Sequence, residues 1–123
     1  MDSYTQYIQY FSLLIGFGAC SIGLLAIAKP QFMSEGFGIK VSGAATSYVV
    51  ALGIRDLFIG LTVLLLYSYQ AWVLIGYTSL MIAMVAFSDF LVVFKNGKKS
   101  ASFVHLLGLM VALAYGLVLL TST

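Results

Sequence analysis

Two opposite charges stand side by side inside an apolar run: VVALGIRDLFIGLTVLL, residues 49–65, carries Arg55 and Asp56 near its middle. Further along, Asp89 lies six residues before Lys95 and His105 six residues after Lys99, each inside another apolar stretch. Carboxylates, an imidazole and a guanidinium in apolar surroundings are the groups of proton-transfer chemistry. One Asp or His105 gives a proton to a substrate oxygen or alkene, the other carboxylate removes a proton or orients water, and Arg55 holds a carboxylate ionised or stabilises developing negative charge. An isolated charge in hydrocarbon costs at least about 2.5–3.5 kcal/mol on insertion scales, so each group needs a partner or water. One Arg and two Asp do not cancel. A proton held by Asp89 or His105 balances the set.

These residues must be positioned by membrane-spanning helices. Of 123 residues, 62% are hydrophobic and 8% charged, with a mean hydropathy of +1.07, a composition that a soluble domain does not have. Four apolar stretches, 8–28, 48–67, 72–94 and 103–120, each come close to the roughly 20 residues a helix needs to cross a bilayer. Transmembrane strands would need segments of about 10 residues with strict alternation, and the chain lacks that pattern. The expected fold is therefore all-α: one integral membrane four-helix bundle over residues 1–123. Only Met1 and Asp2 precede a Tyr/Gln-rich start with no basic segment, so the first stretch reads as a span and not as a cleavable signal.

Between the first two spans, AKPQFMSEGFGIKVSGAATS is expected to be irregular, with Pro30 stopping the first helix. All five lysines, Lys29, Lys40, Lys95, Lys98 and Lys99, fall in the first and third connections. The positive-inside rule then makes that side cytoplasmic and both termini external, an N-out, C-out arrangement. Tyr4, Tyr7, Tyr67, Tyr69 and Trp72 gather at the opposite edge, where amphipathic rings anchor a protein in the interface. The location is a bacterial inner membrane or a eukaryotic endoplasmic reticulum. Lone Cys20 reads as a small packing residue, and Met81, Met84 and Met110 as plastic lining or packing. No Gly-rich nucleotide loop, Cys/His cluster or long charge run occurs, so no cofactor, metal or nucleic acid is expected.

At a helical rise of 1.5 Å per residue, Arg55 and Asp56 lie about 11 Å from the start of their span, and Asp89 and His105 about 9 Å from their loops. Three helices thus bring four ionisable groups to one level. Asp56 shares its stripe with Gly53 and Gly60, Arg55 with Tyr48, Ala51 and Thr62, His105 with Ala101, Gly108 and Ala112, and Asp89 with Ala86 and Val85. Small residues mark where membrane helices approach, so the charges are expected to face the bundle interior. Arg55, Asp56, Asp89 and His105 form the expected catalytic set. Tyr48 and Thr62 are the expected substrate-binding neighbours, with Glu35 on a loop folded back over the site.

The element GIRDLFIGL, the longer stretch FGIKVSGAATSYVVALGIRD, Asp89 before a basic turn and His105 early in the last span resemble a small four-span membrane family. That family is known as domain of unknown function 4267 and is similar to the DoxX-like membrane proteins. The resemblance runs over essentially the whole chain, and its distinctive part is Gly-x-Arg-Asp within a span. It implies a compact four-helix membrane bundle and, because relatives are encoded among biosynthetic genes, small-molecule chemistry with no settled reaction. By the motif Arg55 and Asp56 carry over, followed by Asp89 and His105.

Two classes of function stay open. In the first, the protein takes a lipophilic small molecule from the bilayer and catalyses isomerisation, cyclisation or epoxide opening by proton transfer. In the second it is a non-enzymatic module: a binder of membrane lipid or small molecules, a proton-linked carrier, or an accessory subunit. A carrier of this length would need to be a homo-oligomer.

Overall fold

The computed structural model describes residues 3–122. Five α-helices follow in order: α1 (Ser3–Ala28), α2 (Pro30–Phe37), α3 (Thr46–Ser68), α4 (Trp72–Asn96) and α5 (Lys99–Ser122), with a 3-10 turn at Gly43–Ala45 leading into α3. Met1 and Asp2, on which the reading of the N-terminus rested, lie outside the described residues. The four long helices are each long and apolar enough to cross a membrane. Their outer surface carries exposed Phe58, Met81, Met84 and Leu107, an apolar exterior that suits the hydrocarbon of a bilayer. The chain is an integral membrane protein.

The connection expected to be irregular instead contains α2. Pro30 does stop α1, but it stands at the first turn of a new helix, where its missing N–H removes a donor that has no intrahelical acceptor anyway. Gly38, at φ 113°, ends α2 in the left-handed region, and its N–H donates to the Ser34 carbonyl. Beyond it, the Val41 N–H donates to Ser34 Oγ at 3.1 Å, which folds the chain back under the helix.

Two tight antiparallel pairs make the bundle. In the first, Gly16 and Gly23 of α1 face Gly60 and Gly53 of α3. A Cβ on Gly23 would stand 2.6 Å from the Gly53 carbonyl oxygen, and one on Gly60 2.6 Å from that of Gly16. Backbone therefore lies on backbone, the close approach that small residues permit in membranes. Cys20 fills the next gap, since its sulfur would be 2.5 Å from a Cβ on Gly60, in keeping with a packing role. In the second pair, Gly76 of α4 meets Gly116 of α5, and Ser79 Oγ donates to the Ala112 carbonyl at 2.7 Å across the helices.

The two pairs touch each other sparingly. At one end the contact is a cluster of Ile75, Tyr115 and Leu119 against Phe11, Ile15 and Trp72. There the Tyr115 hydroxyl donates to the Ile8 carbonyl at 2.7 Å and lies 2.9 Å from Ser12 Oγ. At the other end α2 closes the gap: the Lys98 N–H donates to the Gly38 carbonyl at 2.8 Å, tying the end of α2 to the α4–α5 turn. Between these two closures the pairs stand apart.

The glycine seam sets a paired test. Gly23→Ala forces its methyl into the α3 backbone and is expected to cost about 1–3 kcal/mol, the range of overpacking in a tight core. Gly18→Ala meets nothing within 4 Å and is expected to be neutral or slightly stabilising, because alanine is the better helix former. Unfolding of both variants in mixed micelles checks the difference.

Candidate functional site

The space between the pairs is a cavity of about 400 Å³, within the range of small-molecule sites, roughly 300–1,000 Å³. Its walls are mostly apolar: Ile59 and Leu52 from α3, Ile82 and Val85 from α4, and Met33 and Phe37 from α2. The ionisable groups on it are Arg55, Asp56, Asp89 and His105. Ile22 of α1 and Val104 of α5 line the same cavity and are exposed, so it opens sideways between these helices towards lipid. Gly108 also lines it, and a Cβ there would meet nothing within 4 Å.

Arg55 organises the polar group. Its Nη1 and Nη2 donate to Asp89 Oδ1 at 3.1 Å and Oδ2 at 3.0 Å, a two-pronged bond from α3 to α4. Its Nε and Nη2 donate to Asp56 Oδ1 at 3.2 and 3.1 Å. Four donor contacts thus engage most of a guanidinium that has five N–H groups. The planar fork suits a carboxylate in a way that a lysine would not. The shared depth of Arg55, Asp56 and Asp89 read from the spacing is the geometry of this cluster.

The two carboxylates are not equivalent. Both oxygens of Asp89 are held by Arg55, whereas Asp56 uses Oδ1 alone, and Oδ2 has no hydrogen-bond partner among the described residues. No buried side-chain oxygen or nitrogen among them is both sealed and unpartnered, so Asp56 Oδ2 stays reachable. His105 has a comparable asymmetry. Its Nε2 lies 2.8 Å from the Phe37 carbonyl oxygen, and its ring stands edge-on to the Phe37 ring at 4.7 Å. A carbonyl only accepts, so Nε2 carries the proton, and in the neutral ring Nδ1 is the acceptor. Nδ1 has no partner among the described residues. The site therefore presents one oxygen and one nitrogen able to exchange protons, backed by a fixed Arg55–Asp89 ion pair. No group of three or more His, Cys, Asp or Glu side chains among the described residues is arranged to hold a metal ion.

Three expected substrate-binding residues are not brought to this cavity. Tyr48 is 76% exposed on the outer face of α3, and Thr62 is exposed on the same helix. Arg55 shares their stripe at the backbone, but its long side chain swings sideways to Asp89. Glu35 is exposed on α2 and pairs with Lys40 at 3.6 Å, while Met33, Gly36 and Phe37 are the α2 residues that line the cavity. Met81, Met84 and Met110 are also exposed, neither lining the cavity nor packed in the core. On α4 the cavity stripe is 82, 85, 86 and 89, and positions 81 and 84 turn away from it. Sequence reasoning missed Phe37, whose carbonyl orients His105. Its signal was Pro30 at the start and Gly38 at the end of a short helix.

Removing one member of the cluster leaves uncompensated charge. Arg55→Met is expected to destabilise by about 1–3 kcal/mol, below the range for a fully buried pair because the cluster is only partly buried. The triple variant Arg55→Met, Asp56→Asn, Asp89→Asn is expected to recover most of that loss. A comparison of the two unfolding free energies in micelles measures it.

No curated protein and no solved structure matches the chain. The model of the family described as Domain of unknown function (DUF4267) matches residues 16–119, which take in the second half of α1, all of α2, α3 and α4, most of α5 and every ionisable residue of the cavity. The chain belongs to that family.

Proposed function

We propose that this protein is a membrane-embedded acid/base catalyst that acts on a lipophilic small molecule. The observation that carries the reading is the pair of reachable, unpartnered atoms, Asp56 Oδ2 and His105 Nδ1, on an apolar cavity with a lateral mouth. Arg55 with two ionised carboxylates leaves one negative charge, and a protonated His105 brings the sum to zero. In that state the Asp56 carboxylate is the base and the His105 imidazolium the acid. A proton leaves the substrate for Asp56 Oδ2 as another passes from Nδ1 to a second position on it. The double bond moves between them, and total charge is conserved. The proton on Asp56 then returns to His105, which resets the site. Asp89 takes no part in the exchange: it holds Arg55, and Arg55 fixes Asp56 through Oδ1.

Isomerisation needs no co-reactant and is the simplest of the reactions open to this pair; cyclisation and epoxide opening use the same acid and base. The five lysines, all in the two connections at the α2 end or at the helix ends that flank them, support an orientation with that end cytoplasmic and both termini outside. A bacterial inner membrane and an endoplasmic reticulum both fit.

A second reading has one observation in its favour. The ion cluster is largely satisfied without a ligand, because Arg55 already makes four contacts to the two carboxylates. A module that binds a lipophile or lipid without converting it, alone or as a homo-oligomer, would have the same geometry.

The test begins with the molecule that co-purifies from native membranes, identified by mass spectrometry and returned to the protein in nanodiscs. Conversion by the wild type is expected. Asp56→Asn and His105→Gln, each still folded and loaded, are expected to lose at least about 100-fold in turnover, the lower range for removal of an acid or base. Retained turnover in both variants would end the catalytic reading, and a bound lipophile that is never converted would favour the module.

A further inference from the structure

The end of the bundle opposite the lysine-bearing connections holds a second cavity of about 360 Å³, between the start of α1 and the α3–α4 turn. Its wall is part polar and part apolar, and among the described residues it carries no charge. Gln6, Gln9 and Gln70 supply carboxamides, Tyr10 a hydroxyl, and Tyr67 and Trp72 an edge-to-face ring pair with centroids 5.4 Å apart.

Gln9 is the informative residue. It is 7% exposed, and its carboxamide makes no hydrogen bond among the described residues, although its backbone carbonyl accepts one from Ser12 Oγ. Neither amide atom is sealed without a partner, so the amide keeps its accessible surface at the cavity that it lines. Nine-tenths of the residue is packed away, and the one part left open is a carboxamide that no protein group among the described residues engages, so its hydrogen-bonding capacity is directed at the cavity. Gln70 adds to the pattern. It holds φ 55°, a left-handed conformation that favours glycine, and yet it places a third carboxamide at the same cavity.

We propose that this cavity binds a neutral, polyhydroxylated group, the chemistry of a sugar or glycerol head. A carboxamide both donates and accepts, and a hydroxyl does the same, so three carboxamides and a phenol match several hydroxyls at once. The described wall offers no opposite charge to a charged head, which disfavours anionic and cationic occupants. The Trp72 and Tyr67 rings give the C–H face of such a ligand an apolar surface while their polar edges stay wet. The group can come from a neutral glycolipid of the bilayer or from a free sugar, and the site is independent of the chemistry at Asp56 and His105.

Trp72 is the single tryptophan of the chain, so its fluorescence reports on this cavity directly. In phosphatidylcholine vesicles free of sugar detergents and of any other protein, the protein is titrated with monoglucosyl diacylglycerol and, separately, with glucose. A saturable change with the lipid alone assigns the bilayer source, and one with glucose assigns the free sugar. Gln9→Leu is expected to weaken the response at least tenfold without lowering the thermal midpoint. Gln70→Gly is expected to raise the midpoint and still weaken binding, a combination that a merely structural role would not produce. Should Gln9→Leu fail to fold, Gln6→Leu at the exposed rim carries the same expectation. No saturable response to either probe, an equal response to phosphatidylserine, or undiminished binding in the variants that fold overturns the proposal.

Discussion

The bond from Arg55 to Asp89 is the interaction on which the site depends. Two helix pairs, each drawn together by glycine, are joined at the Tyr115 end and through α2, and between those closures they face one another across an apolar gap. The two-pronged contact between α3 and α4 bridges that gap at the level of the cavity. A partly buried ion pair is a weak source of stability compared with apolar packing, so its value here lies in position. It leaves Asp56 with one oxygen engaged and one reachable.

Glycine makes the cavity as much as charge does. Where Gly16, Gly23, Gly53 and Gly60 bring backbones together, the α1–α3 pair becomes a single thick wall, and Gly76 with Gly116 does the same for α4 and α5. The space is then what two rigid walls leave between them, closed at one end by Tyr115 bonded to Ile8 and at the other by α2. Gly108 serves the opposite purpose, since no atom approaches the position its Cβ would take and the cavity keeps that volume. The side mouth at Ile22 and Val104 follows from how little α1 and α5 touch away from the Tyr115 end.

Much of this was legible in the sequence. Hydropathy located four long helices because a bilayer demands length, and residue spacing brought Arg55, Asp56 and Asp89 to one depth because helical rise is constant. What spacing could not reveal is where a long side chain goes. Arg55 lies on the stripe of Tyr48 and Thr62, yet its guanidinium reaches round the helix, so the stripe gave two neighbours that the cavity does not have. The partner of His105 was hidden for a different reason. It is a backbone carbonyl 68 positions away, held in place by the contact of Gly38 with the α4–α5 turn, and a backbone atom leaves no trace in residue type. Glu35 looked like the polar residue of a lid, but α2 turns its apolar side, Met33 and Phe37, to the cavity and leaves Glu35 with Lys40.

The most direct measurement is an experimental structure of the protein taken from its native membrane into nanodiscs, at a resolution that shows ligand density. The account predicts an elongated apolar molecule between the helix pairs, with a polar or unsaturated position within hydrogen-bond reach of Asp56 Oδ2 and His105 Nδ1, while Arg55 still spans to Asp89. Helix pairs collapsed onto each other, with Asp56 Oδ2 and His105 Nδ1 both taken up by protein groups and no space left between them, would contradict it.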